Sequence, residues 1–396
     1  MRGFHLLVLV YFSTANLSAL GLGCLLFKGR SAALPVVKGL ILGWPLLMGA
    51  LILSQVFMPE SWRPFWREHF YGLFSVSMFW NLILLAPMVL VMALIVAVRT
   101  FRNRQIMAPP GPAPVVEVQT GLTRRDFIEM AVVGGAPAVA LGFGVHGALT
   151  RNDLRVSHLD LPVAGLPPDL EGFTITHLSD LHAGVFCGPE RLRQITDAAN
   201  DLKSDLVAVT GDVINDSLFE LPGAMSALQK IECRRGVFVC EGNHDHHVDP
   251  EALERACGDA GLHYLSDSRL NLQVRGCNLS LSGLPWRGRH FAHQARDLQR
   301  LLPVQRAPRE CRILLAHHPD LFDVTEGLVD VMLAGHTHGG QLMAGPFGFG
   351  PLLFRYWSGL YRRGAQSLVV SNGCGDWFPC RVGAPAEIAQ LTLRRV

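Results

Sequence analysis

The sequence predicts a chain in two parts, an N-terminal set of transmembrane α-helices followed by an α/β domain with buried strands. Long apolar runs in the first hundred residues predict the helices. Five short apolar runs after residue 155, each followed by polar residues, predict interior strands of a sheet covered on both faces. The 396-residue chain is 49% hydrophobic and only 17% charged, which is a low charge content for a soluble protein of this size.

Three apolar runs account for the predicted membrane region, residues 1–100. They cover residues 4–27, 39–58 and 70–98, and none contains Lys, Arg, Asp or Glu. A helix needs about 20 apolar residues to cross a bilayer, and each run reaches that length. We therefore expect an integral membrane protein with the lipid bilayer as a partner.

Two segments join this region to the α/β domain. Residues 101–121 predict a linker, because 108–114 read APPGPAP and cannot hold a regular helix. Residues 122–150 begin LTRRDFI and continue as an apolar, Gly/Ala-rich stretch. This pattern resembles a twin-arginine export signal, although it is internal here, and the alternative is a fourth transmembrane helix.

The distribution of basic residues predicts the orientation in the membrane. Lys and Arg are denser after the first run and after the third run than between the second and the third. The positive-inside bias places those richer segments in the cytoplasm. We therefore expect a protein of the inner membrane whose α/β domain lies on the periplasmic side.

Five polar motifs follow the strand-like runs FTITHL, LVAVT, GVFVCE, ILLA and DVMLA. In chain order the motifs are Asp180-Leu181-His182, Gly211-Asp212, Gly242-Asn243-His244-Asp245, His317, and Gly335-His336-Thr337-His338. In open α/β sheets the ligand site lies at the carboxyl ends of the strands. The five motifs are therefore expected to converge.

The residue types in these motifs predict a metal centre. Carboxylates, an amide oxygen and imidazoles suit manganese, iron or zinc. A carboxylate can bridge two cations, and Asp212 lies between the other motifs in the chain. Two cations about 3.5–4 Å apart acidify a water and clamp a phosphoryl group. The motifs thus predict a hydrolase that uses two divalent metal ions.

In these motifs the chain resembles the calcineurin-like metallophosphoesterases, whose pattern is D-x-H, G-D, G-N-H-[DE], a lone His and G-H-x-H. The resemblance covers roughly residues 155–396, and LSDLHAG and GHTHGGQ are similar to the membrane-associated bacterial branch of that family. The resemblance implies a four-layer α/β/β/α sandwich over residues 155–396. It also implies hydrolysis by a hydroxide that bridges the two metals.

The resemblance further implies two metal sites that share Asp212 as a bridging ligand. The first set is Asp180, His182, Asp212 and His338, and the second set is Asp212, Asn243, His317 and His336. His244 is implied to face the substrate, to stabilise the phosphoryl charge and to protonate the leaving oxygen. Asp245 is expected to orient His244.

Cysteines and one loop supply further expectations. An exported domain permits disulfides, and Cys374–Cys380 is the first candidate pair. Residues 347–363, FGFGPLLFRYWSGLYRR, predict either a hairpin over the active site or a surface at lipid-headgroup level. Arg355, Arg362 and Arg363 of this loop are candidate substrate-binding residues.

Together these features predict a membrane-anchored phosphoesterase or pyrophosphatase whose substrate is a phosphorylated lipid or an envelope metabolite. If the domain is cytoplasmic, the family resemblance implies an alternative, a UDP-2,3-diacylglucosamine-type pyrophosphatase of lipid A assembly. An alternative of another class is a non-catalytic ligand-sensing or transport-accessory protein. The net charge of +2 gives no reason to expect a nucleic-acid partner.

Overall fold

In the computed structural model the chain divides into two compact units, Met1–Leu149 and Thr150–Val396. The structure describes residues 85–105, 141–184, 186–302, 305–378 and 380–396, together with a few scattered positions before residue 140. In the N-terminal unit, α1 spans Leu85–Gln105. Residues 141–150 are also helical.

The prediction of N-terminal transmembrane helices is wrong. Among the residues that the structure describes, no helix is both long and apolar enough to span a bilayer. The third apolar run ends at residue 98, and the last part of α1 carries Arg99, Arg102 and Arg104. The runs 4–27 and 39–58, residues 70–84 of the third run, most of the linker and the arginine pair of LTRRDFI lie outside the described residues, apart from scattered positions.

Two six-stranded sheets form the C-terminal unit. In spatial order the first sheet contains β1 (Leu154–Val163), β14 (Ala386–Arg395), β2 (Thr174–Leu178), β3 (Leu206–Thr210), β4 (Val237–Cys240) and β5 (His263–Tyr264). The second contains β12 (Gly359–Arg363), β13 (Gln366–Val370), β9 (Val331–Ala334), β8 (Glu310–Leu315), β7 (Cys277–Gly283) and β6 (Ser268–Val274).

Both sheets are mostly parallel. The exceptions are the antiparallel pairs β14–β2, β12–β13 and β6–β7. All five strand-like runs singled out from the sequence are strands, namely β2, β3, β4, β8 and β9, and their residues are almost entirely buried. Because β2, β3 and β4 run parallel in one sheet, and β8 and β9 run parallel in the other, the motifs follow neighbouring strand ends.

Alternate residues of the central strands separate the layers. Ala208 of β3 packs into a core shared by the two sheets, whereas Val207 and Val209 pack against the helices of the outer layer. That layer contains α2 (Pro189–Asp201), α3 (Leu221–Leu228) and α5 (Pro250–Asp259). The second sheet is covered by α6 (Phe291–Leu301) and a 3-10 helix at Pro319–Val324. The predicted four-layer α/β/β/α sandwich is thus confirmed for this unit.

Three small elements complete the part of the unit around the strand ends. They are α4 (Asn243–Val248), the hairpin of β10 (Met343–Ala344) with β11 (Phe347–Gly348), and α7 (Phe349–Leu353). A Cβ atom on Gly340 would lie 2.4 Å from the backbone nitrogen of Gly350. The chain at α7 therefore packs directly on the turn that follows the GHTH motif.

Candidate metal centre

The motif residues lie in loops whose backbone is held in an unusual conformation. Asp180, His182, Asp212, His336 and His338 all have positive φ angles, between 45° and 73°. Non-glycine residues adopt this left-handed region rarely, and such residues are frequent at functional sites. The φ angles turn these side chains inward where the strands β2, β3 and β9 end.

A first group of ligand-type atoms gathers around Asp180 and two histidines. His182 Nε2 lies 3.1 Å from His338 Nε2, and His338 Nε2 lies 3.3 Å from Asp180 Oδ1. His182 Nε2 is also 3.5 Å from Asp212 Oδ2. Asp180, His182 and His338 are buried. These are the four residues of the first predicted metal set.

A second group gathers on the other side of Asp212. His317 Nε2 lies 3.1 Å from Asp212 Oδ2, 3.2 Å from Asn243 Oδ1 and 3.2 Å from His336 Nδ1. These are the four residues of the second predicted set. The oxygen Asp212 Oδ2 borders both groups, as a bridging ligand would.

The spacing of these atoms fits divalent cations. Atoms that bind one cation at about 2.1 Å lie roughly 3 Å apart when adjacent on an octahedron, and about 4.2 Å apart when opposite. The distances within both groups fall between these values, because they range from 3.1 Å to 3.9 Å. The donors are carboxylate oxygens, one amide oxygen and imidazole nitrogens, the set that manganese, iron or zinc accepts.

Hydrogen bonds orient one of these histidines and one of the carboxylates. His317 Nδ1 lies 2.7 Å from the carbonyl oxygen of Thr210. A proton on Nδ1 satisfies that carbonyl, so Nε2, which faces Asp212, is the nitrogen that would bind a cation. Asp180 is held by the Ser179 hydroxyl, which donates to Oδ2 at 2.6 Å, and by the backbone N–H of His336 at 3.1 Å.

The carboxylates of Asp212 and Asp180 make the surroundings of His317 negative. Burial opposes a charge on His317, but Asp212 and Asp180 outweigh it and raise the pKa of His317 to about 9. At His336, where burial is the largest effect and the charge of His317 adds to it, the pKa falls to about 3. A potential that draws a proton onto a buried imidazole also attracts cations.

His244 lies beside the two groups. Its Nδ1 is 2.5 Å from the carbonyl oxygen of Asn215, and its ring stands edge-on to His182 with centroids 4.6 Å apart. The backbone N–H of His244 donates to Asp212 Oδ1 at 2.9 Å. The carbonyl of Asn215, a residue that was not singled out from the sequence, therefore orients the ring.

The Asp245 carboxylate makes other contacts than the expected one with His244. Its carboxylate does not orient His244; it accepts the backbone N–H groups of Val213 (2.9 Å), Ile214 (3.1 Å) and Gly242 (2.9 Å). Burial, together with the charge of Asp212, raises the pKa of Asp245 to about 6. Asp245 thus ties the loop that carries Asp212 to the turn that carries Asn243.

The three candidate substrate-binding arginines are not part of the metal centre. Arg355 and Arg363 both pair with Asp323, at 2.7 Å and 3.2 Å between nitrogen and oxygen. Arg363 also donates to the carbonyl of Phe322 at 2.6 Å, and Arg362 is exposed. An available carboxylate at the base of their loop explains this arrangement.

The predicted Cys374–Cys380 disulfide is wrong. Cys374 is a buried free thiol whose sulfur lies 3.2 Å from the carbonyl oxygen of Ser179. Burial raises the pKa of Cys374 to about 12, which makes the thiol unreactive. The residue acts as a small buried group behind Asp180.

Two buried charged residues near the centre escaped the sequence analysis. The Glu241 carboxylate accepts the Trp286 backbone N–H at 2.8 Å and the Tyr264 hydroxyl at 2.7 Å. Arg381 Nη2 lies 3.1 Å from His338 Nδ1, and its Nε pairs with Asp376 at 2.5 Å. Glu241 directly precedes the motif that begins at Gly242, and this position was a sequence signal for a site residue. Arg381 follows no strand-like run and has no such signal.

Comparison with known proteins agrees with this geometry. Residues 173–340 match the family model for calcineurin-like phosphoesterases. The "Uncharacterized metallophosphoesterase YkuE" of Bacillus subtilis is 28% identical over 287 residues, which cover 69% of this chain and 98% of that protein. The "Transmembrane protein with metallophosphoesterase domain" of Danio rerio is 27% identical over 302 residues, 69% of this chain and 67% of that protein.

A third relative is the "Uncharacterized metallophosphoesterase Cj0846" of Campylobacter jejuni. It is 32% identical over 250 residues, which cover 61% of this chain and 63% of that protein. The fold, the site and these similarities define the chain as a metal-dependent phosphoester hydrolase. More narrowly, it contains a calcineurin-like metallophosphoesterase domain.

Proposed function

We propose that the C-terminal unit hydrolyses a phosphate ester or anhydride with two divalent cations held side by side. The observation that carries the proposal is the shared carboxylate. Asp212 Oδ2 lies within 3.5 Å of His182 Nε2 and within 3.1 Å of His317 Nε2. Two cations there would acidify a water molecule and neutralise charge on the phosphoryl oxygens.

In this proposal the protein holds the cations and positions the proton donor. The first cation is assigned to Asp180, His182, Asp212 and His338, and the second to Asp212, Asn243, His317 and His336. His244 donates Nδ1–H to the carbonyl of Asn215, which leaves Nε2 for the substrate. A proton on Nε2 would pass to the leaving oxygen as the ester bond breaks.

The test is an assay of the purified full-length chain after chelation and after addition of manganese. Soluble phosphomonoesters, phosphodiesters and pyrophosphates serve as substrates, and elemental analysis measures the bound metal. We expect turnover only with metal, at an occupancy close to two ions per chain. Full turnover in excess chelator would rule out the metal-dependent mechanism, and saturation of turnover at one ion per chain would rule out the dinuclear one.

The location of this unit on the periplasmic side of an inner membrane stays a prediction. Two relatives, from Danio rerio and Bos taurus, are called transmembrane proteins with a metallophosphoesterase domain, which supports a membrane location. The periplasmic side rests on the distribution of Lys and Arg alone. A reporter fused after residue 151 tests it. Activity of a reporter that functions only in the cytoplasm would invert the orientation and favour a nucleotide-linked lipid as the substrate.

A further inference from the structure

A short segment beside the metal centre presents three large apolar side chains to water. Phe347 of β11 is 75% exposed, and Leu352 and Leu353 of α7 are 73% and 54% exposed. We call these three residues the apolar lip. Exposed apolar surface of this kind is unfavourable in water, and a group of such side chains marks a binding surface.

The lip is attached to the loop that carries the metal-site histidines. The backbone of α7 packs on Gly340, because a Cβ atom there would lie 2.4 Å from the nitrogen of Gly350. The Thr337 hydroxyl donates to the carbonyl of Trp357 at 2.6 Å. Thr337 lies between His336 and His338, so the segment that follows the lip is bonded to the GHTH loop itself.

Two aromatic rings extend the apolar surface from the lip to the centre. Phe354, the residue after Leu353, stands edge-on to His336 with ring centroids 5.7 Å apart. The Trp286 ring lies 5.2 Å from the His336 ring and 5.7 Å from the His317 ring. Both aromatic rings belong to half-buried residues. Along the chain, the apolar residues of this segment therefore run from exposed Leu352 to Phe354, whose ring lies against the second ligand group.

From this continuity we propose that the lip, Phe354 and Trp286 bind the hydrocarbon chain of a lipid phosphate ester. The inference rests on the proposed function, in which the metal centre binds the phosphoryl group of that substrate. A molecule that reaches both places must carry a phosphate at one end and an apolar chain at the other. A sugar phosphate or a nucleotide would leave the lip in contact with water.

The charges around the lip are consistent with a lipid surface. Arg355 directly follows Phe354, and its side chain remains 66% exposed although it pairs with Asp323. A guanidinium group two residues after exposed Leu353 suits a layer in which anionic headgroups lie above hydrocarbon. In this proposal Arg355 lies at the lipid surface rather than at the metals.

The experiment compares a lipid substrate with a soluble one that has the same phosphate chemistry. The monoester pair is dioleoylphosphatidic acid in detergent micelles and glycerol 3-phosphate; the diester pair is dioleoylphosphatidylglycerol and glycerophosphoglycerol. The full-length double variant L352S/L353S should lower kcat/KM for the lipid by roughly ten- to hundredfold, because two side chains lose their apolar contacts. It should leave kcat/KM for the soluble ester within about twofold of the wild-type value.

The variant F219S is the matched control, because Phe219 is 96% exposed in the 3-10 helix Leu218–Glu220 that precedes α3. F219S should leave kcat/KM unchanged for both the lipid and the soluble ester. An equal loss of lipid activity in F219S and in L352S/L353S would overturn the lip as a specific subsite. An unchanged ratio of lipid to soluble activity in L352S/L353S would also overturn it. Absence of metal-dependent activity on every ester would instead overturn the proposed function, and the inference with it.

Discussion

Asp212 is the residue on which both ligand groups depend, because its Oδ2 borders each of them. Replacing it by Asn keeps the volume and removes the charge that would hold two cations. We expect Asp212→Asn to lower activity by roughly three or more orders of magnitude and to lower metal occupancy. Elemental analysis and steady-state kinetics measure both effects.

Asp216→Asn provides the control for this variant. Asp216 lies four residues later in the same loop and is exposed, so the same chemical change should leave turnover and metal content as in the wild type. Wild-type occupancy and turnover in Asp212→Asn would refute the bridging assignment.

His244 should act on the proton and not on the metal. We expect His244→Ala to keep both ions while the rate falls by roughly 10²–10⁴-fold, with the largest loss for poor leaving groups, because such groups depend most on protonation. His247→Ala, at an exposed position on the same helix, should be neutral. Loss of metal from His244→Ala, with no dependence on the leaving group, would make His244 a ligand instead.

Residues in short motifs were predictable from the sequence, and residues joined by long-range contacts were not. Asp180, Asp212 and His317 follow short apolar runs, and the change from apolar to polar residues indicates where each buried strand ends. Trp286 reaches the centre through Glu241, 45 residues earlier, and no local pattern records that contact. The backbone carbonyl of Asn215 has no sequence signal at all, since every residue carries one.

Among the structural elements, the turn after β4 has little space beside Asp212. A Cβ atom on Gly242 would lie 2.1 Å from Asp212 Oδ1. We therefore expect Gly242→Ala to displace Asp212 and to weaken metal binding by at least about tenfold, with all ligands still present. The measurement is a manganese titration of activity.

Gly223→Ala in α3 serves as its control, because nothing lies within 4 Å of the added methyl group. It should bind metal normally and should stabilise α3 by up to about 1 kcal/mol, since Ala is the better helix former. Equal metal affinity in both variants would show that the turn can relax away from Asp212.

Strand β2 should make stability depend on pH. Burial lowers the pKa of His177 from 6.5 to about 4, against the charge of Asp180. As the pH falls from 6.5 to about 4, His177 binds a proton in the unfolded chain but not in the folded chain. Below pH 6.5 the free energy of unfolding should therefore decrease, by about 3 kcal/mol on reaching pH 4.

Denaturant unfolding of chelated protein at pH 7 and pH 4.5 tests this dependence. His177→Gln should remove its part of the pH effect, whereas the exposed His293→Gln should retain it. An identical pH dependence in both variants would mean that other groups dominate acid unfolding.

Among the structural elements, apolar runs predicted the strands correctly and the membrane helices wrongly. Runs of four to six apolar residues between turns suit buried strands, and the structure has them as β2, β3, β4, β8 and β9. A long apolar run indicates burial, but it does not determine where a helix begins and ends. Helix α1 continues past the apolar run into RTFRNRQ, a boundary that apolarity alone could not supply.

For the whole molecule, metal binding should couple to folding, because the seven residues of the two ligand groups follow strands of both sheets. Cations that bind only the folded chain stabilise it, by about 2.7 kcal/mol when their free concentration is one hundred times the Kd. We expect Tm to fall on chelation and to return on addition of manganese. Asp212→Asn should show little of this change. If chelation left the Tm of the wild type unaltered, metal binding would not contribute to stability.

The position of β14 has a consequence for how the chain reaches its fold. β14 pairs with β1 in parallel, Leu154 opposite Ala386, and on its other edge with β2. Until β14 pairs with both β1 and β2, these two strands are not joined, and the place between them in the first sheet is empty. Closure over more than two hundred residues is slow, so newly made chains should spend time with two unpaired strand edges beside the Asp180 loop. Such edges are where a nascent chain associates with another copy or with a chaperone.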